Sequence, residues 1–179
     1  MDEDIKEILL TEKDIKEIVE RLGNAISKDY QDKNLLVVCI LKGSVIFTAD
    51  LIRAIRIPCT IDFMLVSSYT SSTQSSGTVK IIKDLDYSLA EFDILIVEDI
   101  LDTGRTLSAL VDILKMRNPR SIKICTLLDK PERRLVNMDV DYKGTCVPDE
   151  FVVGYGLDYD EKYRNLPYVG ILKDELYSD

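Results

Sequence analysis

Histidine and tryptophan are both absent from this chain of 179 residues. Without histidine neither a Ser-His-Asp nor a Cys-His nucleophile scheme can be assembled, so proton transfer falls to carboxylates, lysine, tyrosine or cysteine. There are only four cysteines, Cys39, Cys59, Cys125 and Cys146. None forms a C-x-x-C pair, so the spacing of a zinc site is missing. Cys39 and Cys125 lie inside apolar runs and read as buried, reduced thiols. No stretch approaches the roughly 20 apolar residues of a membrane span. The acidic start MDEDIKE lacks the basic-then-apolar order of a signal peptide, and the KDEL near the end is not C-terminal. A cytoplasmic protein with no membrane partner is expected. Positive charge is scarce as well. Lys and Arg number 23 against 32 Asp and Glu, a net charge of −9, with a pI near 4.6. That balance argues against a nucleic-acid partner but leaves room for a local basic pocket.

What is present suits one domain with a full core, 46% hydrophobic. The chain is organised around residues 94–107, ILIVEDILDTGRTL. Residues 94–97 read as a buried strand ending in Glu98 and Asp99. Asp102, Thr103, Gly104, Arg105 and Thr106 follow as a small-residue loop. Leu107, Leu110, Val111 and Leu114 then recur at helical spacing, so a helix begins near Arg105. In an open parallel sheet ligands bind at the carboxyl ends of strands. A helix N-terminus preceded by Thr and Gly offers amides to a phosphate. Acids beside it would repel that ligand unless they bind ribose hydroxyls or a divalent cation.

Two further stretches end at the same kind of position. Residues 35–41, LLVVCIL, are a strand stopping at Lys42-Gly43-Ser44 before another helix. On spacing alone Lys42 is a solvated lysine in a turn. Residues 121–128 form a strand ending at Asp129-Lys130-Pro131. Lys130 reads as surface charge unless the sheet is parallel, in which case it shares an edge with Glu98, Asp99 and Asp102. Glu132-Arg133-Arg134 reads as a solvated basic run, and residues 139–148 as a connection. Phe151 opens FVVGYGLDYDEKYR, a strand with a glycine bulge and then a polar loop. Residues 67–77, rich in hydroxyls, are long for a structureless loop and suit a lid. Thr11 and Asp14 form a capping box at the head of an amphipathic helix.

The central stretch resembles the V-E-D-I-x-D-T-G-x-T motif of the hypoxanthine-guanine phosphoribosyltransferases, within the type I phosphoribosyltransferases that bind phosphoribosyl diphosphate (PRPP). LKG at 41–43, SY at 68–69, LLDK at 127–130 and FVVGYGLDYDEKYR at 151–164 match in order, so the likeness covers nearly the whole chain. The resemblance implies an α/β fold with a mostly parallel central sheet flanked by helices. It also implies a small hood subdomain from the chain ends, residues 1–12 and 150–179, over a core of 13–149. The implied activity is purine salvage: magnesium-dependent transfer of a phosphoribosyl group from PRPP to hypoxanthine or guanine, giving IMP or GMP and pyrophosphate.

The same resemblance implies residue roles. Glu98 and Asp99 hold ribose hydroxyls and a first Mg2+, while Asp158 helps hold a second. Asp102, Thr103, Gly104, Arg105 and Thr106 cradle the 5′-phosphate, and Asp102 is the general base near purine N7. Lys42, Gly43 and Arg164 face pyrophosphate, with the Leu41-Lys42 peptide often cis in the family. Phe151 stacks on the purine, and Val152 and Lys130 read its edge, with Asp158 beside it. Lys130, as a donor, favours a 6-oxo group over adenine's amine. Ser68 and Tyr69 belong to the lid. The family forms dimers or tetramers. Two other readings are a PRPP-binding regulator, which should show a basic face, and a phosphorylated receiver domain, which leaves residues 103–106 without a role. Within the family, xanthine is a third candidate base.

Overall fold

In a computed structural model, residues 1–68 and 79–177 are described. The central sheet has six strands: β2 (Leu35–Leu41), β3 (Thr60–Ser68), β4 (Val79–Lys83), β5 (Asp93–Leu101), β6 (Ser121–Asp129) and β7 (Tyr142–Cys146). Their order is β4-β3-β2-β5-β6-β7. All pairings are parallel except that of β4 with β3. The pleat divides the inner strands between two layers. Leu35, Val37, Leu95, Val97, Cys125 and Leu127 pack with residues of α1 (Glu12–Asp29) and α2 (Val45–Ala54). Leu36, Val38, Ile40, Ile94, Ile96 and Ile124 pack with Leu107, Leu110, Val111 and Leu114 of α3 (Arg105–Lys115). Two-sided burial explains why these strands are continuous apolar runs rather than alternating ones.

Local chemistry sets the element boundaries. The Thr11 hydroxyl accepts from the Asp14 amide at 3.2 Å, and the Asp14 carboxylate accepts from the Thr11 amide at 2.9 Å, which starts α1 as the capping box predicts. After α3 the chain turns at Asn118, whose φ of 54° is left-handed, ahead of Pro119. A separate antiparallel sheet joins both chain ends, in the order β1 (Ile5–Leu10), β9 (Val169–Leu172), β8 (Val152–Val153). Cys39 and Cys125 are buried free thiols, as expected.

Two sequence expectations are corrected. Residues 139–148 are not merely a connection, because β7 lies within them and pairs with β6 from Cys125↔Tyr142 to Asp129↔Cys146. It is an edge strand with a polar, glycine-containing sequence, YKGTC, which carries little periodic signal. The central strand does not stop at its acids either. β5 runs through Glu98 and Asp99 to Leu101, held by Glu98↔Thr126 and Leu101↔Asp129.

Candidate active site

The parallel strands β2, β5 and β6 end on one edge, and the segments following them converge there. At the end of β2 the Leu41–Lys42 peptide is cis. Ser44 is fully buried and its hydroxyl donates to the Ile40 carbonyl at 2.6 Å, closing the turn. Gly43 is pressed against β5. A Cβ at this position would collide with Asp99 Oδ2. On its other side a Cβ at Gly156 would collide with the Gly43 carbonyl, and Gly156 has a φ of 106° that only glycine adopts readily. The glycines of LKG and GYG therefore bring the turn after β2 against the 151–164 segment.

Glu98 and Asp99 are partly buried side by side. Burial and the Asp99 charge push the Glu98 carboxyl well above the usual range. Burial also raises Asp99, although hydrogen bonds to its charged form, including the 2.7 Å bond from the Ile100 amide to Oδ1, work against that rise. Two carboxylates short of compensating charge suit a hard divalent cation. Among the described residues no three His, Cys, Asp or Glu side chains converge as a complete ligand set. The pair thus fits magnesium, which keeps waters and takes further oxygens from a phosphorylated ligand. Asp158 stands apart, its Oδ1 2.8 Å from Arg164 and its Oδ2 accepting from the Glu161 amide at 2.9 Å.

The loop 102–106 follows β5. Gly104 caps α3 with a left-handed φ of 80° and no side-chain cap. The Thr103 carbonyl accepts from Leu135 at 3.0 Å and from Val136 at 3.3 Å, which fastens the loop. A cavity of about 250 Å³ opens here, lined by Glu98, Asp102, Thr103, Gly104 and Thr106. Amides at the helix start and the dipole end make it suited to a phosphate.

A second cavity of about 260 Å³ adjoins it, bounded by Asp99, Asp102, Lys130, Phe151, Val152 and Asp158. Lys130 is buried, its ammonium donating to the Glu150 carbonyl at 2.6 Å. Burial lowers its proton affinity. Phe151 is packed by Tyr159 and Tyr177, with ring centroids 5.4 and 5.0 Å away. Volume alone does not mark this edge. A larger cavity of about 690 Å³ lies between α1, α2 and residues 155–167, with neither Glu98 nor Asp99 in its lining.

The structure therefore brings Lys42, Gly43, Glu98, Asp99, the 102–106 loop, Lys130, Phe151, Val152, Asp158 and Arg164 to one edge. Ser68 ends β3, and Tyr69 lies outside the described residues. The reading of 132–134 as solvated is corrected for Arg134, while Glu132 and Arg133 are exposed as expected. Arg134 is largely buried and paired with Asp129, and its Cδ would meet a Cβ on Gly104 at 3.3 Å. Arg133 pairs with Asp102 at 2.9 Å and with Asp149 at 3.3 Å. Glu161 was also missed. Its carboxylate reaches Lys42 at 3.1 Å and Arg164 at 3.3 Å. The signal for the arginines was their place just past a strand's carboxyl end, beside Lys130.

A family profile described as the phosphoribosyl transferase domain matches residues 5–160. A hypoxanthine-guanine phosphoribosyltransferase of Streptococcus thermophilus is 53% identical over 178 residues, covering 99% of both chains. A crystal structure of a hypoxanthine phosphoribosyltransferase from Staphylococcus aureus superposes with a TM-score of 0.97 at 55% identity, over 100% of this chain and 97% of that one. A hypoxanthine-guanine phosphoribosyltransferase from Bacillus anthracis, solved with HEPES in its active site, gives 0.91 at 46% identity, over 94% and 99%.

Proposed function

The chain belongs to the phosphoribosyl transferase family, and from that premise we propose how its sheet edge works in purine salvage. The reaction is phosphoribosyl transfer from PRPP to hypoxanthine or guanine, giving IMP or GMP and pyrophosphate. One observation carries the assignment of residues. A phosphate-suited helix start, a carboxylate pair and a base-sized cavity with a buried lysine are contiguous at the ends of β2, β5 and β6.

Amides and hydroxyls of residues 102–106 hold the 5′-phosphate. Glu98 and Asp99 fix the ribose hydroxyls, and Lys42, Gly43 and Arg164 receive pyrophosphate. Phe151 stacks on the purine, the Val152 backbone meets its edge, and Lys130 donates to the 6-oxo oxygen. The purine nitrogen attacks ribose C1′ as the C1′–O bond to pyrophosphate breaks. Asp102 accepts the proton released from N7. Mg2+ held by Glu98 and Asp99, with a second at Asp158, would neutralise diphosphate charge. Ser68 and Tyr69 are assigned to a lid that excludes water. The acidic pair lies at the transfer point, where a cationic ribose develops, so its negative charge favours the transition state.

We assign residues 1–12 and 150–179 to the hood and 13–149 to the core. Among the described residues no helix is long and apolar enough to cross a membrane. A cytoplasmic dimer or tetramer is the expected state.

A purine panel tests the reading. With PRPP and magnesium, hypoxanthine and guanine should be converted while adenine is inert, and xanthine should show its rank among them. Asp102→Asn should lower the forward rate by about 10²–10⁴-fold while PRPP still binds. No turnover with any base would move the protein to a PRPP-binding regulator.

A further inference from the structure

The contact between Arg133 and Asp102 has no part in the roles above. Arg133 ends the short 3-10 turn Pro131–Arg133, immediately after Lys130. Its Nε lies 2.9 Å from Asp102 Oδ1, and its Nη1 lies 3.3 Å from Asp149 Oδ1. The guanidinium thus bridges two segments that border the base cavity, whose lining includes Asp102 but not Arg133 itself. On one side is the loop after β5, and on the other is the segment leading into Phe151 and Val152. Two other cations on this edge have partners of their own, Lys130 the Glu150 carbonyl and Arg134 Asp129.

The geometry of the pair is informative. Asp102 Oδ1 is buried yet makes no hydrogen bond, although Arg133 Nε is within ion-pair distance. The Nε–H is therefore not aimed at that oxygen. The arginine supplies charge and fixes the carboxylate without filling its acceptor capacity. Oδ1 itself is shut off from solvent, whereas the Asp102 side chain as a whole is 41% exposed and lines the base cavity, so the rest of the carboxylate stays open to a donor, a purine N–H.

We infer that Arg133 is a positioning residue for Asp102, holding the carboxylate in place for the purine N–H and tying it through Asp149 to the base-binding segment. This rests on the assignment of Asp102 as general base. Both side chains are nearly half exposed, 47% for Arg133 and 41% for Asp102, so the pair adds little to stability. Removing it should act on rate rather than on folding.

The test is a double-mutant cycle with Arg133→Ala and Asp102→Asn, each measured by single turnover with hypoxanthine at saturating PRPP, with thermal melts alongside. Arg133→Ala should lower the rate about tenfold, well short of the roughly 10²-fold cost of a badly misplaced group, with KM for PRPP unchanged. Arg133→Lys should recover part of the loss. In the Asp102→Asn background the Arg133→Ala change should have no further effect, because a residue acting through Asp102 has nothing left to act on. Additive losses, or an unchanged rate in Arg133→Ala, would overturn the inference and leave Asp102 as base. Full turnover in Asp102→Asn would instead remove the base assignment and the inference with it. A melt well below that of the parent chain for both Arg133 variants would reassign Arg133 to a structural role.

Discussion

Lys42 Nζ lies 3.1 Å from Glu161 Oε1, across 119 positions of sequence. The second oxygen of the same carboxylate is 3.3 Å from Arg164 Nη2. One acid therefore bridges the two cations assigned to pyrophosphate. The Lys42 contact is the main reason its proton affinity is lowered, followed by Arg164. Glu161→Gln removes an anion that competes with the diphosphate for both cations. The expected result is tighter pyrophosphate product inhibition and a lower KM for PRPP, by about two- to fivefold because the contact is exposed and screened. Weaker pyrophosphate binding would mean that Glu161 prearranges the cations instead.

Gly43→Ala tests the close approach of the turn to β5. The added methyl would displace the Asp99 carboxylate, whose other oxygen is held by the Ile100 amide at 2.7 Å. Turnover should fall roughly 10²-fold through misplacement of the acid. Far-ultraviolet circular dichroism should be unchanged, since the clash is with a side-chain tip rather than with the sheet. Near-normal activity would show that Asp99 can move without cost.

How much of this was legible in the sequence depended on burial. The runs 35–41 and 94–97 announced themselves because two covered faces require unbroken apolar residues. The Thr11–Asp14 cap and the start of α3 at Arg105 are local devices, and both were readable. β7 was not, since an edge strand paired on one side tolerates YKGTC. The extension of β5 through Glu98 and Asp99 was hidden because acids normally end such runs, and only pairing with β6 reveals it. The pairings of Arg133 with Asp102 and of Glu161 with Lys42 join distant segments, so no local pattern names those partners, although the place of Arg133 just past β6 and the i,i+3 spacing of Glu161 and Arg164 are local. The motifs gave the identities at the edge; the fold was needed to show which charges meet there.

Lys130 is buried with its ammonium on the Glu150 carbonyl. Lys130→Gln should raise KM for hypoxanthine by about 10- to 100-fold, the worth of a hydrogen bond from a charged group at about 1.5–3 kcal/mol. Burial lowers its proton affinity, so the charged donor is lost at a lower pH than for an ordinary lysine. KM for hypoxanthine should accordingly rise toward alkaline pH in the parent chain and stay flat in the variant. The comparison is a pH series of initial rates at fixed PRPP.

The raised proton affinities of Glu98 and Asp99, due first to burial, make a prediction about stability with a definite sign. Between the ordinary carboxylate range and the raised folded values, the folded chain holds more protons than the unfolded one. This contribution to stability therefore declines as pH rises through that window. Glu98→Gln removes one of the two charges, so it should flatten the decline and raise Tm at neutral pH, each kcal/mol corresponding to about 2–4 °C in a domain of this size. A divalent cation on the pair favours the deprotonated folded form. Millimolar magnesium should thus raise the parent's Tm more at about pH 8 than at about pH 5, and raise that of Glu98→Gln less at either. Differential scanning fluorimetry across that range decides the matter. A magnesium increment independent of pH and unchanged in Glu98→Gln would place the ion away from these two carboxylates, leaving the pair to the ribose hydroxyls alone.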